Sequence, residues 1–145
     1  MQENSNQAAN LQNISFDDLP EYLAKHAMAL ENEALSFSEY MRMKLREKSI
    51  LQQWVFRNAD ISENYGYKLI AGEKHTKSRD IILRICLCAC FSVEETQEAL
   101  TLYGMAPLSE QKPRDIVFLV AIRSRIKDIY IVNDMLQKCG LKPLL

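Results

Sequence analysis

The 145-residue sequence predicts an all-α protein, and three observations carry that prediction. Apolar residues recur at helical spacing along most of the chain, capping residues open the periodic stretches, and glycines close several of them. The four glycines and four prolines are too few for an all-β protein, which needs a turn roughly every 8–12 residues. The length suits one domain, over residues 15–145, and a 48% hydrophobic, 26% charged composition can fill a core.

The elements follow in order. Residues 1–14, rich in Asn and Gln, have no apolar period and are expected to form a disordered tail. Leu19, Tyr22, Leu23, His26, Ala27 and Leu30 make one stripe of an amphipathic helix over 17–33, with His26 as a packed side chain. Ser36 and Glu39 fit a capping box for a second helix, whose apolar face is Phe37, Tyr40, Met41 and Leu45. A third covers 51–59, with Leu51, Trp54, Val55 and Phe56 available to pack. The tight connection Ala59-Asp60-Ile61 leads to Ser62, the N-cap of a fourth helix over 62–71 that stops at Gly72.

Ser78 caps a fifth helix, apolar nearly all round and expected to run centrally through Phe91. Ser92 and Glu95 box the start of a sixth that ends at Gly104. Pro113 sits in the first turn of a seventh, and Asp128 caps an eighth that ends at Gly140. This half also repeats itself. Arg79-Asp80-Ile81-Ile82 returns as Arg114-Asp115-Ile116-Val117, offset by 35, and Leu100, Gly104, Pro107 and Leu108 return as Leu136, Gly140, Pro143 and Leu144, offset by 36. We read a duplicated helical hairpin, two copies being too few for a solenoid. Asp80 and Asp115 read as caps or first-turn charges paired with Arg79 and Arg114.

Composition narrows the function classes. The longest apolar run, 116–122, is far short of the roughly 20 residues a membrane helix needs. Residues 1–10 lack the basic and apolar segments of a signal peptide, so a cytoplasmic location is expected. In a reducing compartment Cys86, Cys88, Cys90 and Cys139 read as buried thiols, and 86, 88 and 90 cannot share one helical face to hold a metal. The only histidines, His26 and His75, stand in no metal spacing or nucleophile motif, so no metal, cofactor or catalytic role is expected. Charge is uneven: residues 1–35 carry one Lys against six acids, 36–80 nine basic groups against six acids, and 81–145 eight against seven. Only the middle lean is basic, and it is mild for a nucleic-acid binder.

The informative stretch is 50–72, ILQQWVFRNADISENYGYKLIAG, two short helices meeting at a tight turn with a serine cap on the second. That layout suits a helix-turn-helix, whose second helix enters the DNA major groove. Over about residues 37–91 the chain resembles the Cro–phage-repressor, or XRE, family of bacterial helix-turn-helix regulators. Ile50 stands for the apolar residue before helix two and Gln52 for the glutamine at its start. Val55 and Phe56 take the place of the Leu-Ala packing pair, Ile61 is the apolar turn residue, and Gly72 follows the recognition helix. Tyr65-Gly66-Tyr67, then Gly72 through Ser78-Arg79-Asp80, resembles one bacterial subgroup, as do Glu94-Glu95-Thr96 and Pro107-Leu108. The chain departs from the family at Gly66, where an aliphatic residue is usual, and at Asp60, where glycine is usual.

The resemblance implies a lambda-repressor-like five-helix core over about 36–91, preceded by the N-terminal helix and followed by the repeated hairpin over 92–145. It implies double-stranded DNA as partner, read by the helix at 62–71 and positioned by the helix at 51–59. Gln52 and Gln53 would reach a phosphate or orient a base reader, and Ser62, Glu63 and Asn64 would lie in the first turn against base edges. Tyr67 and Lys68 would follow the groove wall, and Lys74, His75 and Lys77 would reach phosphates. Each has a plainer reading: Glu63 as a charge favouring the helix N-terminus, Tyr65 as core, the lysines as a solvated face. Dimerisation through the C-terminal hairpins or the 17–33 helix would space two recognition helices about 34 Å apart on a near-palindromic site. The competing expectation is a protein-interaction adaptor that keeps the fold without DNA.

Overall fold

The computed structural model describes residues 14–25 and 35–145. The chain divides into two units, 1–35 and 36–145, each described by itself, where the sequence reading ran one domain from 15 to 145. The expected tail up to residue 13, and His26, Ala27 and Leu30 of the first stripe, lie outside the described residues. In the first unit Phe16–Asp18 form one 3₁₀ turn, the Ser15 hydroxyl donates to Asp18 at 2.7 Å, and residues 19–25 are helical.

Among its residues the second unit holds seven α-helices and no strand: α1 (Phe37–Glu47), α2 (Gln52–Asn58), α3 (Glu63–Ala71), α4 (Arg79–Cys88), α5 (Val93–Leu102), α6 (Pro113–Arg123) and α7 (Ile129–Lys138). The caps fall where the sequence puts them. Ser36–Glu39 and Ser92–Glu95 form complete capping boxes, while Ser62, Ser78 and Asp128 accept first-turn N–H groups. α4 is central, touching α2, α5 and α7, and Ile82, Leu83, Ile85 and Cys86 on it are buried with Met41, Val55, Phe56, Leu100, Phe118 and Leu136.

Three expectations are corrected. α2 starts after Leu51, and both Leu51 and Trp54 face outward, because Val55, Phe56 and Ala59 take the buried side of this short helix. α4 stops at Cys88 instead of running through Phe91, since Cys90 adopts a left-handed backbone (φ 60°) that no α-helix accommodates. Of the cysteines only Cys86 and Cys88 are buried. Cys90 sits part-exposed on that turn and Cys139 is exposed at the end of α7. Burial pushes the Cys86 thiol up strongly and Cys88 up to about 12, so neither is a thiolate near neutrality.

The helix ends share one device. Ile50, Ile61, Phe91, Met105, Ile126 and Leu141 each donate an N–H back five residues, to the carbonyls of Leu45, Phe56, Cys86, Leu100, Ala121 and Leu136. Each follows a residue with positive φ, and each is apolar, the pattern of a Schellman closure. At Ser49, Asp60, Cys90 and Arg125 the left-handed residue is not glycine. Arg125 is exposed, with φ 58°. Arg125→Gly is therefore expected to raise stability by about 0.5–1 kcal/mol, the strain relieved less the added freedom of the unfolded chain. A urea midpoint unchanged or lowered would contradict this.

The repeat is visible in hydrogen bonds as well as in sequence. Arg79 Nε donates to the Ala106 carbonyl and Arg114 Nε to the Lys142 carbonyl, both at 3.0 Å. Gln97 holds the Leu108 backbone and Asn133 the Leu144 backbone. The arginine–aspartate pairing is corrected. Arg79 grips Asp115 with two bonds of 2.8 and 3.0 Å, and Arg114 grips Asp80 at 2.6 and 2.7 Å. Each arginine reaches the other copy's aspartate, because a neighbour one residue along a helix points 100° away. The exchange ties α4 to α6 by two bidentate clamps.

Candidate functional site

Three contacts fix α3 against α2. The first is steric: a Cβ at Gly66 would lie 2.5 Å from the Phe56 ring, so the helices meet only because this residue is glycine. The ring of Phe56 fills the space that a side chain at position 66 would need. The second contact is Tyr67, which packs edge-on against Phe56 with centroids 5.1 Å apart. The third is polar: Glu63 accepts from Gln53 Nε2 at 3.1 Å and from Arg57 Nε at 2.8 Å. Arg84 then closes the end of α2, donating to the Ala59 and Asp60 carbonyls at 2.9 and 2.7 Å.

Hydrogen bonding from Arg57 first, and then from Gln53, holds the Glu63 carboxyl below its ordinary range. Its bonded oxygen is occupied within the helix pair, so Glu63 and Gln53 act together as a clamp. Ser62 is likewise engaged as the cap of α3, accepting from the Tyr65 N–H at 3.3 Å, and Tyr65 is half-buried.

The remaining residues face outward. Gln52, Asn64, Tyr67 and Lys68 line one shallow groove of about 370 Å³, together with Arg42 of α1 and Glu73. Asn64 and Tyr67 are exposed, and Gln52 and Lys68 half-exposed. Lys74, His75 and Lys77 occupy the loop between α3 and α4 and do not line that groove. That loop is pinned: the Thr76 N–H donates to the Tyr103 hydroxyl at 2.7 Å, and the His75 ring stacks flat on Tyr103 at 4.6 Å. The stack sets His75 against Tyr103 just past the end of α5, and His75, Lys74 and Lys77 are all exposed.

Arg42 was missed in the sequence. Its signal was present, an arginine on the polar side of a capped amphipathic helix, but only folding brings α1 beside α3. Conversely, Lys44 and Lys48 are spent elsewhere. Lys44 pairs with Glu47 and Glu95 at 3.1 and 3.5 Å, and Lys48 with Glu95 at 2.8 Å. Arg42, Arg46, Lys68, Lys74 and Lys77 form no ion pair among the described residues, and Arg42 and Lys68 line the groove together.

Comparison with protein-family models, curated proteins and solved structures finds no match to this chain. Among the described residues no cluster of three His, Cys, Asp or Glu side chains is placed to hold a metal ion, and no helix is long and apolar enough to cross a membrane.

Proposed function

We propose that the protein is a sequence-specific DNA-binding regulator, with α2 and α3 as a helix-turn-helix of the Cro–phage-repressor type in a lambda-repressor-like core. The observation that carries the reading is the outward face of a braced helix. Asn64, Tyr67 and Lys68 stand open on α3 beside Gln52 and Arg42, while Gly66, Leu69 and Ile70 are buried behind them. A helix held from behind, with amide, aromatic and cationic side chains in front, suits a major groove. Asn64 is the base reader in this reading, Gln52 its neighbour at the start of α2, and Arg42, Lys68, Lys74 and Lys77 the phosphate contacts. Glu63 and Gln53 position α3.

The test is selection of bound fragments from a random duplex pool, followed by titration of the selected site. Asn64→Ala is expected to weaken that site by roughly 1–3 kcal/mol and relax preference at one base pair. Lys68→Ala is expected to weaken all duplexes alike and to reduce the salt slope by about one. No salt-sensitive binding at about 50–100 mM salt would refute the reading.

A second reading, an adaptor that binds protein, is favoured by a different observation. Lys44 and Lys48 are neutralised by acids, and an apolar groove lies open between α6 and α7. Unchanged DNA titrations for both variants, with a protein captured through that groove, would select it.

A further inference from the structure

Three of the helix-closing turns meet on one face. The α1–α2, α4–α5 and α6–α7 turns line two adjoining hollows, of about 680 and 520 Å³, that share Lys48, Cys90 and Lys127. Each of these turns has one left-handed residue, Ser49, Cys90 and Arg125 in order, and each carries a side chain that borders a hollow. Glycine takes that backbone without strain, as it does at Gly72, Gly104 and Gly140. Backbone strain of this kind gathers at working surfaces, where the side chain is needed.

The chemistry of the face is apolar and cationic. Leu51 is 73% and Trp54 45% exposed, and three residues apart they share one side of α2 in the lining of the larger hollow. Lys48 and Lys127 line it with them, and no acid does. Around the smaller hollow stand Lys48, Arg123, Arg125 and Lys127 with Glu94 and Glu95, and Glu95 is already met by Lys48 at 2.8 Å. Arg125 and Lys127 are exposed and form no ion pair among the described residues. None of these residues lines the α3 groove.

We infer that this face docks an acidic peptide segment of a partner protein, with an apolar side chain seated on Leu51 and Trp54 and carboxylates on Lys127 and Arg125. Charge complementarity chooses the occupant. An exposed tryptophan beside a leucine is the kind of anchor a protein interface uses, and cations at its rim select acids. A run of phosphates fits less well, because Glu94 and Glu95 stand in the wall of the smaller hollow and repel a continuous polyanion. The inference is independent of the DNA-binding reading. That reading uses Gln52, which lies two residues and about 200° around α2 from Trp54.

Trp54 is the only tryptophan of the chain, so its fluorescence reports this face directly. The probe is a random peptide library displayed on phage and selected on the full chain, each recovered peptide then being titrated against that fluorescence. The peptides are expected to pair Asp or Glu with leucine or phenylalanine, to shift the Trp54 emission to the blue and to lose affinity with added salt. Leu51→Ala is expected to weaken them about tenfold, and its side chain is exposed enough to leave the fold intact. Lys127→Ala and Arg125→Gly are each expected to weaken them about threefold, and for Arg125→Gly the loss accompanies a gain in stability. Lys68→Ala, in the α3 groove, is expected to leave them unchanged. No recovered peptide, peptides without acids, an unmoved Trp54 emission, or affinities indifferent to Leu51→Ala and Lys127→Ala would overturn the inference. So would a single-stranded oligonucleotide that shifts the same emission, depends on Lys127 and binds more tightly than any peptide. Peptide binding without duplex binding upholds this face and refutes the DNA reading, and duplex binding with no acidic peptide recovered does the reverse.

Discussion

Asp115→Ala is expected to lower the free energy of unfolding by about 3 kcal/mol, the largest effect of any single polar substitution considered for this fold. Asp115 is buried, its side chain 5% exposed, and accepts both bonds of the Arg79 guanidinium and the Ser109 N–H at 2.9 Å. Truncation leaves that guanidinium with only the Ala106 and Pro107 carbonyls and leaves the Ser109 N–H without its acceptor. The mirror clamp provides an internal scale. Asp80 is 23% exposed, so water replaces part of what Arg114 loses, and Asp80→Ala is expected to cost about half as much. Equal losses in urea denaturation would show that burial is not what distinguishes the two clamps.

The same group sets an acid limit. Burial alone would raise the Asp115 carboxyl, but hydrogen bonds from Arg79 and Ser109 and the charges of Arg79 and Lys112 outweigh it and hold the carboxyl below its ordinary range. A depressed carboxylate contributes stability that is fully present above its unfolded value, near pH 4, and is lost as pH falls through the folded value. The parent chain is therefore expected to lose this increment below about pH 4, while Asp115→Ala, lacking the group, shows a shallower acid limb.

Gly66→Ala is expected to destabilise by about 2 kcal/mol, although alanine is the better helix former by about 1 kcal/mol. The new methyl would meet three ring atoms of Phe56 at 2.5–2.7 Å, and Phe56 is itself fully buried, so it has no free space to retreat into. Phe56→Leu alone is expected to cost about 1–3 kcal/mol through the cavity it leaves. Combined, the two changes are expected to cost less than the sum of the single ones, because one fills what the other empties. Strict additivity in a double-mutant cycle would refute the close approach of α2 and α3. On the DNA-binding reading, Gly66→Ala also tilts α3, and selected-site affinity falls with it.

Legibility differed between these features for a reason of range. The glycine at position 66 reads in the sequence as a helix-weakening departure, and only the Phe56 ring ten residues earlier shows it to be a fit. Glu63 reads as a first-turn acid or a base reader, and the fold makes it the acceptor of Gln53 and Arg57. Arg79-Asp80 and Arg114-Asp115 were legible as a repeat, yet their exchange of partners was not, since adjacency in sequence favours the wrong pairing. Trp54 illustrates the opposite error. An aromatic residue beside Val55 and Phe56 reads as core, but a two-turn helix has room for one buried side, and the tryptophan lies off it.

What the sequence determined by itself is the helical class, the order of the helices, their caps and the duplication, because a 3.6-residue period and a capping hydrogen bond act within four residues of chain. Tertiary structure alone decided how Gly66 makes room for Phe56, which cations pair with acids, and which aspartate each arginine of the duplicated pair grips. Those outcomes depend on how α1 and α2 pack against α3, α4 and α5, and a contact between residues tens of positions apart leaves no periodic trace in either segment.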